Sequence, residues 1–281
     1  MNTIRNEITY GGYFAALCSP AFVLFTASLM NIKVDLPILV ISYILPLIVY
    51  SYDYYKDIDK DIQENSKRAS FLKKKAKKYP YVLSFYIILL ISLLIMFFNF
   101  NLIIFIILLI TIGILYNIAF KDLTKKIPLF KNIYTALTWA LGGTFFPILY
   151  YSLDINLSFI IMFFLIFLRV MINVIFFDLK DIDNDTASRI KTLPVILGKK
   201  STIKILNSMN IISFIPLILG IYFNIISFCA ISLLILCIYG YFYINKATSA
   251  SSNELESAAH TLADFEFIIW PLILIIAKII V

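Results

Sequence analysis

The chain has 281 residues, of which 61% are hydrophobic, and its mean hydropathy is +0.92. Because a soluble domain typically has about 45–50% apolar residues, this composition excludes an ordinary soluble protein and predicts a multi-pass membrane protein. His260 is the only histidine, which argues against a histidine-based metal site or a Ser-His-Asp triad. We expect Cys18, Cys229 and Cys237 to be small core residues without disulfides, since they lie in apolar runs. The net charge is +7, but the sequence contains no soluble basic domain, so we do not expect the protein to bind nucleic acid.

Apolar runs long enough to cross a bilayer follow one another along the whole chain. A spanning helix needs about 20 mostly apolar residues. The sequence therefore predicts an all-α fold, with nine transmembrane helices in a single domain over residues 1–281. The predicted spans are residues 11–31, 34–52, 80–98, 101–119, 133–152, 156–177, 205–222, 224–244 and 263–281.

Lysine and arginine are concentrated in alternate connections between these helices. The long connections at 53–79, 120–132, 178–204 and 245–262 are basic, whereas the short connections on the opposite side contain only Lys33. Because positive residues stay in the cytoplasm, we expect a cell-membrane protein whose N-terminus and long connections are cytoplasmic. The same charge should attract anionic lipid head groups.

Two acidic clusters lie at the ends of the second and sixth predicted helices. Asp53, Asp57 and Asp61 are spaced four residues apart, so they share one helical face, and Arg68 follows them. The second cluster contains Asp178, Asp181 and Asp185, followed by Arg189 and Lys191. Carboxylate oxygens are ligands for Mg²⁺, and basic side chains bind diphosphate. Either cluster alone could equally be a solvated charged loop.

The positions of the two clusters indicate a weak internal repeat. Each cluster occupies the same point in its half of the chain, four predicted helices apart. This pattern predicts two four-helix units plus a ninth helix, with both clusters facing one cytoplasmic mouth. Two facing carboxylate clusters with basic neighbours are suited to a divalent metal and a diphosphate.

Over essentially its whole length the chain resembles the UbiA superfamily of intramembrane prenyltransferases. Asp57 and Asp61 match the acids of that family's N-x-x-x-D-x-x-x-D motif, Arg68 matches the arginine after it, and Asp53 stands where asparagine is usual. Asp181 and Asp185 match its D-x-x-x-D motif, with Asp178 one turn earlier. The stretches KTLPVILG at 191–198, Leu115-Tyr116 with Lys121, and IPLFKN at 127–132 resemble further family segments.

The resemblance implies transfer of a prenyl group from a polyprenyl diphosphate to an acceptor, either an aromatic quinone precursor or a glycerol-type lipid. Mg²⁺ would be held by the carboxylates, and the diphosphate would ionise to leave an allylic cation. The expected catalytic residues are Asp57, Asp61, Asp181 and Asp185, with Asp53 and Asp178 as further metal ligands. The expected diphosphate-binding residues are Arg68, Lys121, Lys191 and Tyr116. An ordinary tyrosine at the membrane interface explains Tyr116 equally well.

Two other activities stay open at this point. A terpene cyclase of the same fold would capture the cation internally, and it would form product without an acceptor. A secondary transporter also uses repeats and acids, but its acids tend to lie near the bilayer midplane rather than at helix ends. Arg169 lies within a predicted helix, where we expect it to pair with an acid or the diphosphate. We interpret His260 and Asp264 as ordinary polar residues of a loop rather than as residues that line an acceptor pocket.

Overall fold

The computed structural model describes residues 11–64, 66–120 and 122–280, without the side chains of residues 54, 55, 57–69, 117 and 253. All regular structure in this part of the chain is helical. The longer helices are α1 (Cys18–Leu29), α2 (Leu36–Glu64), α3 (Ser66–Lys75), α4 (Tyr79–Met96), α5 (Phe100–Leu115), α6 (Phe130–Tyr150), α7 (Leu157–Asp178), α8 (Leu193–Ile212), α9 (Ile215–Tyr222), α10 (Ile235–Lys246) and α11 (Asp264–Ile280). Short helical segments cover Tyr13–Ala16, Ala76–Lys78, Tyr116–Phe120, Leu123–Lys126, Ile182–Ala187, Phe228–Leu234, Ser252–Ala258 and Ala259–Ala263.

Seven segments of the described chain are long and apolar enough to cross a membrane. They are Leu36–Asp53, Ser70–Met96, Phe100–Phe120, Phe130–Tyr150, Leu157–Asp178, Leu193–Tyr222 and Phe228–Lys246. The segment Tyr13–Leu29 is apolar but shorter. The all-helical membrane fold is therefore confirmed, whereas the count of nine spanning helices is not.

Two connections differ from the sequence-based expectation. Residues 53–79 were expected to form a long connection, but α2 continues to Glu64 and α3 follows it. Residues 178–204 were expected to form one long connection, but α8 already begins at Leu193. Pro194 lies in the first turn of this helix, where its missing N–H leaves no hydrogen bond unmade and its fixed φ suits a helix. Gly198, with φ of 78°, then kinks the helix. The true connection after α7 is consequently short and holds the second acidic cluster close to the bundle.

The helices pack into two connected cores. The larger core joins α1, α6, α7, α8, α10 and α11, with Phe22, Phe25 and Trp270 at its centre. The smaller core joins α1, α2, α4, α5 and α6. Helix α6 belongs to both, because α7 packs along one of its sides and α5 along another. This arrangement places the start of α6 between the end of α5 and the end of α7.

Candidate active site

Asp178, the last residue of α7, is held by two side chains from the first turn of α6. Lys131 Nζ donates to its Oδ1 at 2.8 Å, and Asn132 Nδ2 donates to its Oδ2 at 2.6 Å. Asp178 is 1% exposed and Asn132 is fully buried. Both carboxylate oxygens are thus engaged, and the ammonium group of Lys131 is fixed at the membrane boundary.

Asp181 directly precedes the short helix Ile182–Ala187, and Asp185 lies within it. Asp181 pairs with its neighbour Lys180 at 2.7 Å, and it remains partly exposed. Asp185 is buried and accepts a hydrogen bond from Thr192 Oγ1 at 3.1 Å. Burial raises the pKa of Asp185 to about 6, with Asp178 and Asp181 adding to the rise and Lys131 and Thr192 opposing it. Burial, with two further carboxylates nearby, therefore disfavours the charged form of Asp185 in the absence of an added cation.

Backbone hydrogen bonds tie the segment after α7 to the segment before α6. The amide of Leu129 donates to the carbonyl of Lys191, and the amide of Lys191 donates to the carbonyl of Thr124. The ammonium group of Lys191, expected to bind diphosphate, lies 3.2 Å from the carbonyl oxygen of Lys126 and donates to it. The two segments are consequently positioned as one unit at the site.

Tyr116 lies in an aromatic cluster at the same end of the bundle. Its ring is 5.3 Å from that of Tyr134, which also contacts Phe120 and Phe130. Tyr134 follows Lys131 by three residues on α6, so this aromatic cluster lies within about one helical turn of the residue that pairs with Asp178.

An apolar cavity of about 110 Å³ opens among α1, α2, α5 and α6. Its lining includes Tyr50, Gly113 and Thr138 near one end and Phe146 farther along α6. Asp53, Tyr116 and Tyr134 lie three or four residues from Tyr50, Gly113 and Thr138, which is about one helical turn. Asp53 therefore follows the apolar cavity by about one helical turn along α2, and Lys131 precedes Thr138 by about two turns along α6.

Several expected site residues lie outside the described part of the chain. Lys121 is one, and the side chains of Asp57, Asp61 and Arg68 are others. The backbones of Asp57 and Asp61 are helical within α2, as their spacing predicted. Within the described residues, no three Asp, Glu, His or Cys side chains lie close enough together to hold a metal. The assignment of metal ligands consequently stays a prediction.

Lys131 and Asn132 were not among the expected site residues. Sequence reasoning noted Lys131 only as one basic residue of the 120–132 connection, and IPLFKN only as a family-like stretch. The Oδ1 atom of the buried Asn132 has no hydrogen-bond partner within the described residues. In the sequence, Lys131 and Asn132 are distinguished only by their position just before a predicted helix. That position does not predict the contact with Asp178.

Farther along α7, Arg169 pairs with an acid, as expected. Its Nε donates to Glu266 Oε1 at 2.8 Å, and its other nitrogens contact Glu266, Asn210 and Ser213. Arg169 and Glu266 are each 1% exposed. This pair joins α7, α8 and α11 inside the packed half of the bundle.

The interpretation of Asp264 as loop polarity is wrong. Asp264 is buried at the start of α11 and accepts a hydrogen bond from Asn173 Nδ2 at 3.2 Å. His260, by contrast, is half-buried and contacts the edge of the Phe177 ring at 5.1 Å. A turn of π-helix, Ala259–Ala263, leads into α11 and places Asp264 against α7.

The comparisons with known proteins agree with this architecture. The UbiA prenyltransferase family model matches residues 50–265, and the chain belongs to this family. A digeranylgeranylglyceryl phosphate synthase from Methanosphaera stadtmanae is 32% identical over 133 residues, which cover 47% of this chain and 46% of the relative. The match thus spans about half the length of that curated relative.

Solved structures share the fold at low sequence identity. A UbiA homolog from Aeropyrum pernix K1 has a TM-score of 0.71 at 14% identity, covering 94% of this chain and 97% of its own. A UbiA homolog from Archaeoglobus fulgidus, bound to GPP and Mg²⁺, has a TM-score of 0.62 at 15% identity, covering 96% and 99%. The family resemblance seen in the aspartate motifs is therefore confirmed.

Proposed function

We propose that this protein catalyses Mg²⁺-dependent transfer of a prenyl group from a prenyl diphosphate to an acceptor, in a single domain over residues 1–281. The observation that carries the proposal is the Asp178–Lys131 ion pair, with Asp185 near it, about two helical turns before the cavity-lining Thr138 on α6. A prenyl diphosphate likewise combines a charged group, the diphosphate, with a long apolar chain. The substrate would lie with its diphosphate at this ion pair and its chain among α1, α2, α5 and α6.

The diphosphate is bound by cations that the fold holds in place. Lys131 is fixed by Asp178, and Asn132 holds the second oxygen of the same carboxylate, so the ammonium group is oriented before substrate arrives. Arg68, Lys121 and Lys191 supply further positive charge. For Lys191 this requires its side chain to leave the carbonyl of Lys126.

The carboxylates fit the chemistry of a divalent cation, since Asp185 is buried near Asp178 and Asp181 and a bound cation would favour its charged form. Asp57, Asp61, Asp181 and Asp185 would hold Mg²⁺, with Asp53 and Asp178 beside them. Mg²⁺ neutralises the diphosphate when bound and makes it a better leaving group. The homolog from Archaeoglobus fulgidus binds GPP together with Mg²⁺, which supports this assignment.

Departure of diphosphate leaves an allylic cation next to the aromatic cluster. The faces of Tyr116 and Tyr134, whose centroids are 5.3 Å apart, can stabilise that cation by cation–π attraction. The apolar lining of the chamber excludes water, which would otherwise capture the cation. The acceptor oxygen or carbon then forms the new bond, and its proton passes to the released diphosphate.

We favour a prenylated glyceryl phosphate as acceptor. The relative from Methanosphaera stadtmanae is named for the synthesis of digeranylgeranylglyceryl phosphate, and it is 32% identical to part of this chain. Such an acceptor is itself an anionic lipid, so it can reach the basic end of the bundle from the same leaflet as the donor. The alternatives are transfer to an aromatic acceptor and internal cyclisation of the prenyl chain, and the experiment below distinguishes them from transfer to a glyceryl phosphate.

The decisive experiment is a substrate panel with purified protein in detergent. Labelled dimethylallyl, geranyl and geranylgeranyl diphosphates are each combined with geranylgeranylglyceryl phosphate, with an aromatic acid or with no acceptor, and products are read by mass spectrometry. We expect a prenylated glyceryl phosphate that forms with Mg²⁺ and disappears in excess chelator. Product without acceptor would identify a cyclase instead, and full turnover in chelator would refute the metal requirement.

We also propose that the basic end of the bundle faces the cytoplasm, because lysine and arginine are concentrated there. Ser70 and Asp154 are both exposed and lie at opposite ends of the bundle. In a variant lacking the native cysteines, Ser70→Cys should react with an impermeant thiol reagent only after the membrane is opened. Asp154→Cys should react in intact cells. The opposite labelling pattern would reverse the orientation.

A further inference from the structure

The surface around α3 and the start of α4 carries a dense group of lysines that the proposed chemistry does not use. Lys73, Lys74, Lys77 and Lys78 are exposed, and within the described residues none of them has an ion-pair or hydrogen-bond partner. In the chain they directly precede α4, one of the helices long and apolar enough to span the membrane. These four lysines are called the basic face.

The opposite side of the same segment is packed against the bundle. Leu72 is fully buried and Tyr79 is 8% exposed, and both pack with Tyr50 and Phe71. The segment is therefore amphipathic, with one side fixed to α2 and the basic face turned outward. Its lysines cannot all turn inward, because Leu72 and Tyr79 already occupy the contact with α2.

An exposed apolar strip continues from the basic face along α4. Tyr81 is 80% exposed, Phe85 is 60% exposed and Ile88 is 64% exposed. Tyr81, Phe85 and Ile88 are spaced four and three residues apart, which keeps their side chains on one side of α4. Lys78 precedes Tyr81 by three residues at the end of the 3-10 turn Ala76–Lys78, and Lys74 lies four residues earlier in α3. Two ammonium groups thus stand at the head of an interfacial tyrosine and a lipid-facing apolar strip.

We propose that this surface binds an anionic phospholipid of the surrounding leaflet. Its phosphate would lie on Lys74 and Lys78, with Lys73 and Lys77 adding positive potential, and one acyl chain would follow Tyr81, Phe85 and Ile88. Each lysine near a membrane surface adds attraction for anionic lipid, and the apolar strip adds the contact that a free phosphate ion could not make. A zwitterionic lipid offers the same chain but no net negative charge, so it binds here more weakly.

The bound lipid would also hold α3 in position at the candidate site. The inner side of this segment contacts Tyr50, which lines the apolar cavity, and Asp53 follows Tyr50 by one turn on α2. Anionic lipid on the outer side therefore opposes movement of α3 away from α2. The binding claim stands independently of the proposed prenyl transfer, whereas an effect on turnover would rest on it.

The test uses the full-length protein in vesicles that contain a photoactivatable phosphatidylglycerol or a photoactivatable phosphatidylcholine. Cross-linked residues are mapped by mass spectrometry. We expect phosphatidylglycerol to label residues 81–88 several-fold more than phosphatidylcholine does. Lys74→Gln with Lys78→Gln should reduce that labelling by about fivefold or more, while Lys74→Arg with Lys78→Arg should retain it.

A matched control pair is available on α8. Lys200 and Lys204 are exposed, are also four residues apart and lie in the same group of basic connections. Lys200→Gln with Lys204→Gln removes the same charge and should leave labelling at 81–88 unchanged. Equal labelling by both lipids, or an equal loss in the control pair, would overturn the proposal in favour of general charge attraction. Turnover measured in the same vesicles separates a failed lipid site from a failed enzymatic assignment.

Discussion

The two sides of α6 use polar side chains in opposite ways. On the side of α7 and α11, Arg169 and Glu266 are buried together with Asn210 and Ser213, and these groups bond to one another. On the side of α2 and α5, α6 lines a mainly apolar cavity. Near the start of α6, Asp185 is buried close to Asp178 and Asp181, and burial together with those two carboxylates raises its pKa to about 6.

This difference separates a scaffold from a binding region. A buried charge that has all its partners fixes the helices around it but has no capacity left for a ligand. A buried carboxylate with incomplete compensation favours a cation that arrives from outside.

The largest effect is expected from breaking the ion pair on the packed side. Glu266→Gln leaves Arg169 buried without a counter-charge, which should lower the free energy of unfolding by about 3–5 kcal/mol. Arg169→Met combined with Glu266→Leu removes both charges and should recover most of that loss. Unfolding in mixed micelles measures both variants. If the double variant has the same free energy of unfolding as Glu266→Gln, the ion pair stabilises the protein by more than neutralising its two charges.

The next effect is expected at the candidate site and should appear in turnover rather than stability. Asp185→Asn keeps an acceptor for Thr192 but removes a charge from the cluster, so kcat should fall by about 100- to 1,000-fold. Thermal stability in detergent should change little. Asp183→Asn, on the same short helix but exposed, is the matched control and should cost less than about twofold.

A double variant tests whether the two acidic clusters act as one site. Asp61→Asn should reduce turnover as Asp185→Asn does, and combining them should be little worse than the worse single change. Penalties that add in free energy would instead indicate two independent sites. Single-turnover kinetics on all three variants provide the comparison.

The smallest effect distinguishes the two sides of α6 at neighbouring glycines. A Cβ at Gly143 would lie 2.6 Å from the Cβ of Phe22, whereas one at Gly142 meets nothing closer than 3.9 Å. Gly143→Ala should therefore destabilise the protein by about 1–3 kcal/mol through overpacking. Gly142→Ala should fold normally but narrow the cavity, raising KM for the donor more than it lowers kcat. Equal loss of stability in both would contradict the division.

Part of this molecule could be predicted from sequence because the information is local. Apolar runs identified the membrane helices, and the spacing of Asp53, Asp57 and Asp61 predicted a continuous helical face on α2. The cysteines are free, as their apolar context indicated. Membership of the family could be inferred from the two aspartate motifs, which the family match now confirms.

The remaining features depend on contacts between distant residues. Lys131 is one lysine among many in the sequence, and only its contact with Asp178, 47 residues away, distinguishes it. Asp264 was interpreted as a loop residue because a short polar stretch precedes α11, but the packing of α11 against α7 buries it. The early start of α8 was not predicted, because the residues before position 205 were assigned to the basic connection at 178–204.

The hydrogen bonds from Leu129 to Lys191 and from Lys191 to Thr124 have a consequence for biogenesis. They join a segment made early in translation to one made more than sixty residues later, so the site cannot close while the ribosome is still completing α7. A polypeptide that ends before Lys191 lacks both hydrogen bonds, although its first helices are complete. The chain can therefore begin to enter the bilayer before the two segments of the candidate site are joined.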